Sequence, residues 1–264
     1  MQFSPGVAAL LVAIGLVVGA FGTIVGAGGG FVLTPVLFLL YPHDSPETLT
    51  AISLTAVFFN ALSGSIAYAR QRRIDYRSGS VFALATLPGA VGGAFVVGLV
   101  SRRLFSVILA AVLVALAAWL LAGERWTARP RSRRRTLYRG ALYSLGVGFL
   151  SSFLGIGGGV IHVPLLVRAL GFPVHTATAT SHFVLAFMAG AGTITHIALG
   201  SFAHRHGVRR AIALSVGVVA GAQVGARVST RVQGRAITAM LAVALVGLAA
   251  RLVYSVSRRV PTQR

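Results

Sequence analysis

The chain has 264 residues, of which 56% are hydrophobic and only 11% are charged. A soluble domain carries about a quarter charged residues, so this composition excludes an ordinary soluble protein and indicates a polytopic membrane protein. The net charge of +20 comes from 24 basic residues, all arginines, which lie mainly between apolar segments. This spacing indicates membrane topology and contact with the lipid bilayer and argues against nucleic-acid binding.

Apolar segments of membrane-spanning length follow one another along the chain in two groups of four. We predict an all-α polytopic membrane protein of about eight transmembrane helices in two homologous four-helix repeats, residues 1–122 and 139–264. A basic cytoplasmic linker, residues 123–138, joins the repeats. The first segment has no arginine or lysine ahead of it, so we interpret it as a retained span and not as a signal peptide. The segments lie at roughly 6–40, 49–69, 79–100, 104–122, 139–170, 176–198, 208–228 and 236–256.

A glycine-rich run occurs twice, as Gly-Ala-Gly-Gly-Gly at 26–30 and as Gly-Ile-Gly-Gly-Gly at 155–159. Pro35 and Pro164 follow the two runs at the same distance, which gives an internal repeat with an offset of 129 residues. A glycine cluster with a proline downstream breaks a membrane helix near its middle and frees backbone N–H and C=O groups. The first helix of each repeat is therefore predicted to be broken.

Half-helices that begin after the glycines, near Val32 and Ile161, would place unpaired N–H groups near the bilayer midplane, where the positive end of the helix dipole favours an anion. The prolines then fall in or near the first turn. Under the alternative interpretation the glycines only permit a kink or a tight helix crossing. A second set of repeated glycines has the small-xxx-small spacing that favours helix packing. It comprises Gly89 with Gly93, and Gly221 with Gly225.

Arginine counts favour one orientation in the membrane. If each segment crosses once, 18 of the 24 arginines lie on one side and six on the other, which places both termini and the linker in the cytoplasm. Segments 6–40 and 139–170 exceed the roughly 20 residues needed to span, so each could be a hairpin or a span plus a half-helix. Five crossings per half would give inverted repeats, an extracytoplasmic C-terminus and an arginine split of 15 to 9. We prefer the eight-span arrangement.

The chain resembles the TauE/SafE family of sulfite and organosulfonate exporter-like membrane proteins. The resemblance rests on the paired glycine-rich breaks with their prolines, on Ala-Thr-Ala-Thr-Ser at 177–181, and on the layout of four plus four segments. The matching stretch of the first half, Ala-Ile-Ser-Leu-Thr at 51–55, is a looser version. The resemblance implies a multi-pass inner-membrane transporter, an exporter by its family, of sulfite, sulfonates or related small oxyanions or carboxylates.

Histidines mark one span of the second half. His175, His182 and His196 are separated by 7 and 14 residues, which keeps them on one face of a helix. His182 could donate to an oxyanion or carry a coupling proton, or it could be a hydrogen-bonded packing residue. His162 follows the second glycine run, and its first-half counterpart is Leu33. The predicted substrate-binding residues are Gly28, Gly29, Gly30, Thr34, Gly157, Gly158, Gly159, His162, Thr180, Ser181 and His182.

Several classes of function are disfavoured. The four carboxylates, Asp44, Glu47, Asp75 and Glu124, all map to connections or span ends, which argues against a cation pump. No hydrolase or ATPase motif is present, so we predict that the protein is not an enzyme and uses no cofactor. His204 and His206 lack an acidic or cysteine partner, so we predict no metal site. Asn60, Ser63 and Gln223 are candidate hydrogen-bonding residues between helices.

Two rival functions stay open at this point. The histidine-bearing span could serve a membrane-embedded enzyme or an assembly subunit, or the protein could be a passive anion channel. A homo-oligomer is compatible with the sequence, and the predicted partners are a small anionic substrate and the lipid bilayer.

Overall fold

The computed structural model describes residues 4–121, 133–202 and 206–258, and these residues form helices and connections without a strand. Six helices are long and apolar enough to cross a membrane: α1, α3, α4, α5, α8 and α9. The all-helical prediction is confirmed, whereas the arrangement of eight spans is not. The helices are α1 Pro5–Val25, α2 Gly30–Leu40, α3 Pro46–Arg70, α4 Tyr76–Val97, α5 Arg102–Leu121, α6 Arg133–Leu154, α7 Gly159–Pro164, α8 Val174–Ala198, α9 Gly207–Ser229 and α10 Gly234–Arg258.

Local sequence signals set the helix ends in the first half. Ser4 caps α1, since its hydroxyl accepts from the amide of Val7 at 3.3 Å. Ser45 caps α3 in the same way, and a proline follows each of these two serines at the first helical position. Helix α1 ends at Val25, and Gly26, with a left-handed φ of 76°, caps its last turn.

The two long first segments are each a long helix followed by a short one. The short helix α2 begins at Gly30, and α7 begins at Gly159 and continues through Leu165–Ala169 as a π-helical stretch. Both start two residues earlier than predicted. Before α2, Gly29 has a left-handed φ of 79°, which favours glycine, whereas Gly158 before α7 has a right-handed φ of −43°. Because both helices start earlier, the prolines lie in the second turn and not in the first.

Two seams of small residues hold the halves together. Along the first seam, the backbone of α1 around Leu16 and Ala20 lies directly against Gly221 and Gly225 of α9. Along the second, the backbone of α6 lies directly against Gly89 and Gly93 of α4. Any side chain at these glycines would overlap a carbonyl oxygen of the facing helix, so the predicted packing role of the four glycines is confirmed.

Residue pairing along the seams also gives the helix directions. Gly221 and Gly225 follow the same order as the α1 residues they face, so α1 and α9 run in the same direction, and α4 and α6 do likewise. Asp44 before α3 binds Arg210 near the start of α9, which brings the starts of α1, α3 and α9 to one end of the bundle. We call this end the terminus face. The opposite end, where α5 finishes and α6 begins, is the linker face.

The short helices turn back instead of completing a crossing. Helix α2 starts in the protein centre and ends at the terminus face, where Arg102 donates to the carbonyl of Phe38 at 2.9 Å. The run that begins with α7 returns to the linker face, where Arg168 contacts Trp119 at the end of α5. Each half therefore makes five passes, of which the second is a short one that leads from the centre back to the face where the half began, and the two halves enter from opposite ends. This geometry agrees with the inverted alternative and disagrees with the preferred eight simple crossings.

Part of the predicted linker is helical, because α6 begins at Arg133. The remainder of the predicted linker, including Glu124, lies outside the described residues, as does His204.

Candidate functional site

The two glycine-rich breaks lie against each other in the centre of the protein. A side chain at Gly30 would begin 2.6 Å from the carbonyl carbon of Ile156, and one at Gly159 would overlap the carbonyl oxygen of Gly26. Both contacts would be far closer than a normal van der Waals contact of a side-chain carbon. Glycine is therefore required on both sides of the contact, and the backbones of the two breaks touch.

The break glycines are also tightly enclosed by other elements. Gly28, Gly29 and Gly157 have φ values of 72°, 79° and 62°, which side-chain-bearing residues rarely adopt. A side chain at Gly28 would meet Leu185 at 2.5 Å, and one at Gly158 would overlap the hydroxyl of Ser151. In this conformation the glycines face protein atoms and not open space, so they have a packing role whatever else they do.

Hydroxyl groups hold the carbonyl of Gly155 at the second break. The hydroxyl oxygens of Thr34 and Ser53 each donate to this carbonyl at 2.7 Å, and they lie 3.1 Å from each other. At the first break, the hydroxyl of Ser181 donates to the carbonyl of Gly26 at 3.3 Å. Thus side chains of α2, α3 and α8 bind backbone groups of the break in the other half.

His182 lies in a buried polar network beside the first break. Its Nε2 is 3.3 Å from Oδ1 of Asn60, and this oxygen also accepts from the hydroxyl of Thr23 at 3.2 Å. The ring meets the ring of Tyr68 edge to face, with 5.6 Å between centroids. Gly64 leaves the room that the imidazole occupies, since a side chain there would begin 2.5 Å from the ring.

Tyr68 extends the network toward the linker face. Its hydroxyl donates to the carbonyl of Thr23 at 2.7 Å and lies 3.3 Å from Oγ of Ser229. Arg73 contacts the same serine oxygen at 3.4 Å and the Tyr68 ring at 5.6 Å. Polar groups therefore connect the centre of the protein with the arginines at the linker face.

His162 is fully buried in a different environment. Its Nε2 lies 3.2 Å from the hydroxyl of Ser144, and its ring meets Phe82 edge to face at 5.9 Å. Its Nδ1 has no hydrogen-bond partner among the described residues. The residues it contacts belong to α4 and α6, whereas His182 contacts α3.

The predicted site residues are only partly brought together. The break glycines, Thr34, Ser181 and His182 meet in the centre. Thr180 does not, because its hydroxyl accepts from the amide of Asp75 at 3.0 Å in the connection before α4. His196 lies at the terminus face, where its Nδ1 is 3.0 Å from Oγ of Ser201. His182 and His196 of α8 therefore lie in separate environments.

Three contributors were not predicted from the sequence: Thr23, Ser53 and Tyr68. Their residue types are common in membrane helices, and only the fold brings them to the breaks. Asn60 was predicted as a hydrogen-bonding residue between helices, which is confirmed by its bonds to the carbonyls of Gly19 and Val218 at 3.1 and 3.3 Å.

A charged cluster closes the terminus face. The buried Arg210 pairs with Asp44, and its guanidinium lies 3.8 Å from the ring centroid of Tyr41. Burial raises the pKa of Tyr41 and outweighs Arg210, which lowers it, so this phenol stays neutral at physiological pH. Glu47 accepts from Ser201 at 2.5 Å nearby. These contacts connect the loop after α2 with the second half.

The fold and these contacts define the class of the protein. It is a polytopic helical membrane protein in which two broken helices meet at a buried polar centre, as in transporters built from inverted repeats. The profile of the family Sulfite exporter TauE/SafE matches residues 11–252, so the chain belongs to this family of membrane transporters.

Curated relatives agree with the family. The chain is 28% identical to the "Probable membrane transporter protein YunE" of Bacillus subtilis (strain 168), over 93% of this chain and 97% of that protein. It is 27% identical to a "Probable membrane transporter protein" of Methanocaldococcus jannaschii, over 71% of this chain and 72% of the relative. A third relative, the "Probable membrane transporter protein" of Xylella fastidiosa (strain Temecula1), is 33% identical over 63% of this chain and 65% of the relative. No solved structure matches the chain.

Proposed function

We propose that this transporter moves small anions such as sulfite, sulfonates or related oxyanions and carboxylates, and that the anion binds where the two breaks meet. The observation that carries the proposal is the direct contact between two helix breaks in a buried centre that contains hydroxyl groups and an imidazole. The first amides of α2, at Gly30 and Phe31, have no partner within their helix, and the helix dipole favours an anion there.

The proposed anion ligands surround this contact. Thr34, Ser53 and Ser181 offer hydroxyl donors, and His182 offers an imidazole. Each hydroxyl now binds a break carbonyl, so an arriving anion would exchange these bonds for bonds to its own oxygens. His162 stays a candidate at the second break, whereas Thr180 is disfavoured because the backbone of Asp75 occupies its hydroxyl.

Binding requires the breaks to separate, because their backbones are in contact and their glycines are enclosed. We infer that the two halves, residues 1–122 and 139–264, act as inverted repeats that move relative to each other around the central contact. This motion would expose the site alternately to the two faces, as alternating access requires.

We further propose that the linker face is cytoplasmic and that the membrane is the inner cell membrane. With five passes per half, the linker-face connections hold 15 of the 24 arginines, which agrees with the positive-inside rule. Reporter fusions after Arg264 and within 123–132 should then report opposite sides. A cytoplasmic signal from both fusions would restore the eight-span arrangement.

Anion transport is tested with the purified protein in liposomes and a panel of labelled anions that includes sulfite, methanesulfonate and acetate. The proposal expects saturable uptake and counterflow of at least one of them. Large conductance without saturation would instead indicate an anion channel. The absence of flux for every anion would reject the proposal and favour an enzyme or an assembly subunit.

A further inference from the structure

Asn60 fixes the hydrogen-bonding state of His182. The side-chain nitrogen of Asn60 donates to two backbone carbonyls, Gly19 and Val218, which leaves Oδ1 toward the imidazole. Oδ1 lies 3.3 Å from Nε2 of His182 and can only accept. Nε2 therefore carries a hydrogen, and in a neutral imidazole the other nitrogen, Nδ1, presents a lone pair.

Nδ1 of His182 is a buried acceptor with no hydrogen-bond partner among the described residues. An unpaired buried acceptor costs free energy. If Nδ1 were protonated, the Nε2–H group would keep its bond to Oδ1 of Asn60, and the new Nδ1–H group would need an acceptor that an anion oxygen can supply. A buried imidazolium without a counter-charge is costly, so the charged ring requires an anion beside it.

The charged and titratable groups around His182 are few. Helix α3 contributes Tyr68, and Arg73 follows at the far side of the Tyr68 ring. On α8 itself, His175 lies seven residues earlier and is half-buried. The carboxylate of Asp75 caps the start of α4 and is occupied there. Helices α1 and α9 contribute Thr23 and Ser229, which do not titrate. Among these groups no carboxylate binds the ring, so a bound anion would be its natural counter-charge.

We propose that His182 takes up a proton at Nδ1 in each transport cycle, so that the anion crosses together with about one proton. The lone pair of Nδ1 binds a proton from water at one face, and the resulting imidazolium neutralises the anion at the breaks. The same N–H bond breaks at the other face, returning the proton to water and restoring the neutral ring. The inference rests on the proposed anion transport and adds the coupling ion to it.

The experiment uses liposomes with equal potassium and valinomycin, which hold the membrane potential at zero, an internal pH dye and labelled methanesulfonate. Methanesulfonate does not titrate near neutral pH, so any proton that enters with it is carried by the protein. The wild type should move about one proton per anion. His182→Gln should lose this proton movement, with the ratio at least about tenfold lower. His196→Gln is the matched control at the terminus face and should keep the wild-type ratio.

Failures of the two proposals are distinguishable. Methanesulfonate uptake by the wild type without proton movement overturns the role of His182 and leaves anion transport standing. If only sulfite is carried, the same comparison of wild type and His182→Gln is made with sulfite, and an equal proton ratio in the two proteins rejects the inference. If no anion of the panel moves, both proposals fail.

A second variant covers the case in which His182→Gln does not fold. Asn60→Asp places a carboxylate beside Nε2 and favours the charged ring. The pH of half-maximal uptake should then rise by about one unit or more. An unchanged pH profile in folded Asn60→Asp protein contradicts the inference.

Discussion

The two halves contain the same glycine-rich break but place different polar side chains around it. At the breaks, an offset of 129 residues makes Leu33 correspond to His162. Helices α3 and α8 both have 25 residues, so that Ser53 corresponds to Ser181 and Leu54 to His182. The glycines that permit the breaks to touch occur in both halves. The two imidazoles near the breaks, His162 and His182, belong to the second half, whereas the amide that orients one of them, Asn60, belongs to the first. The comparison teaches that the backbone frame is duplicated, while the polar centre is shared between the halves and is asymmetric.

The largest expected effect concerns the duplicated frame. Leucine at Gly89 or at Gly221 would drive a side chain into a carbonyl of the facing helix, Leu145 or Leu16, and we expect a loss of about 3–5 kcal/mol of stability in both variants. Gly146→Leu is the control, because nothing lies within 4 Å of a side chain at that position. Size-exclusion profiles and thermal midpoints in detergent provide the measurement. Wild-type behaviour of either seam variant would contradict the seam geometry.

The same reasoning applies to the breaks. Gly158→Leu meets Ser151 and Val147, so it should fail to give monodisperse protein as the seam variants do. If Gly158 lined an anion-binding cavity, as the sequence alone suggests, the Gly158→Leu protein would fold normally and lose only transport. A monodisperse Gly158→Leu protein that carries no anion would restore that interpretation.

The second prediction concerns an ion pair that one half has and the other lacks. Asp44 precedes α3, whereas the corresponding connection before α8, residues 170–173, contains no carboxylate. Arg210→Gln leaves the buried carboxylate of Asp44 without its partner and should destabilise the protein by about 3 kcal/mol. Arg209→Gln, at the exposed neighbouring position, should change stability by less than about 0.5 kcal/mol. Equal thermal midpoints for the two variants would show that the ion pair contributes nothing.

Much of the frame was predictable from the sequence. The offset between the two glycine runs, the breaks and the packing glycines all follow from local composition and spacing. The direction of the passes was not predictable, because the lengths of segments 6–40 and 139–170 are equally compatible with a single span, a hairpin and a span plus a half-helix. Only the contacts of Gly221 and Asp44 with distant helices decide between them.

The polar centre was less predictable than the frame. His182 stands out because ionisable groups are rare in membrane helices. Its partners Thr23 and Tyr68 carry no such signal, since their role depends on α1 and α3 meeting beside α8. Thr180 shows the opposite error, because proximity in sequence to His182 does not bring its hydroxyl to the same site.

The third prediction compares two polar residues at the breaks, Ser53 of the first half and His182 of the second. His182→Ala should lower anion uptake by about tenfold or more, since it removes an oriented buried group. Ser53→Ala removes one of two donors to the carbonyl of Gly155, and Thr34 keeps the other. We therefore expect uptake to fall by only about fivefold or less, which corresponds to about 1 kcal/mol. Initial uptake rates in liposomes, normalised to inserted protein, measure both. A larger defect in Ser53→Ala would mean that the first half carries the site.

The smallest effect is expected at a polar bridge that only one half possesses. The side-chain nitrogen of Gln223 donates to the carbonyl and the hydroxyl oxygens of Ser63, both at 2.8 Å, and so joins α9 to α3. The corresponding pair between α4 and α8 is Val91 and Ala191, whose side chains cannot form such bonds. The frame therefore tolerates an apolar contact at this position.

Gln223→Val makes this contact resemble the one in the other half. We expect a loss of about 1 kcal/mol of stability, the usual net worth of a hydrogen bond in membrane helices, and wild-type anion uptake, because Gln223 does not contact the breaks. Thermal midpoints and liposome uptake are measured on the same preparation, with Val224→Ala at the exposed neighbouring position as the control. A strong uptake defect at normal stability would show that the α3 to α9 bridge belongs to the transport machinery, and the asymmetry between the halves would then extend beyond the polar centre.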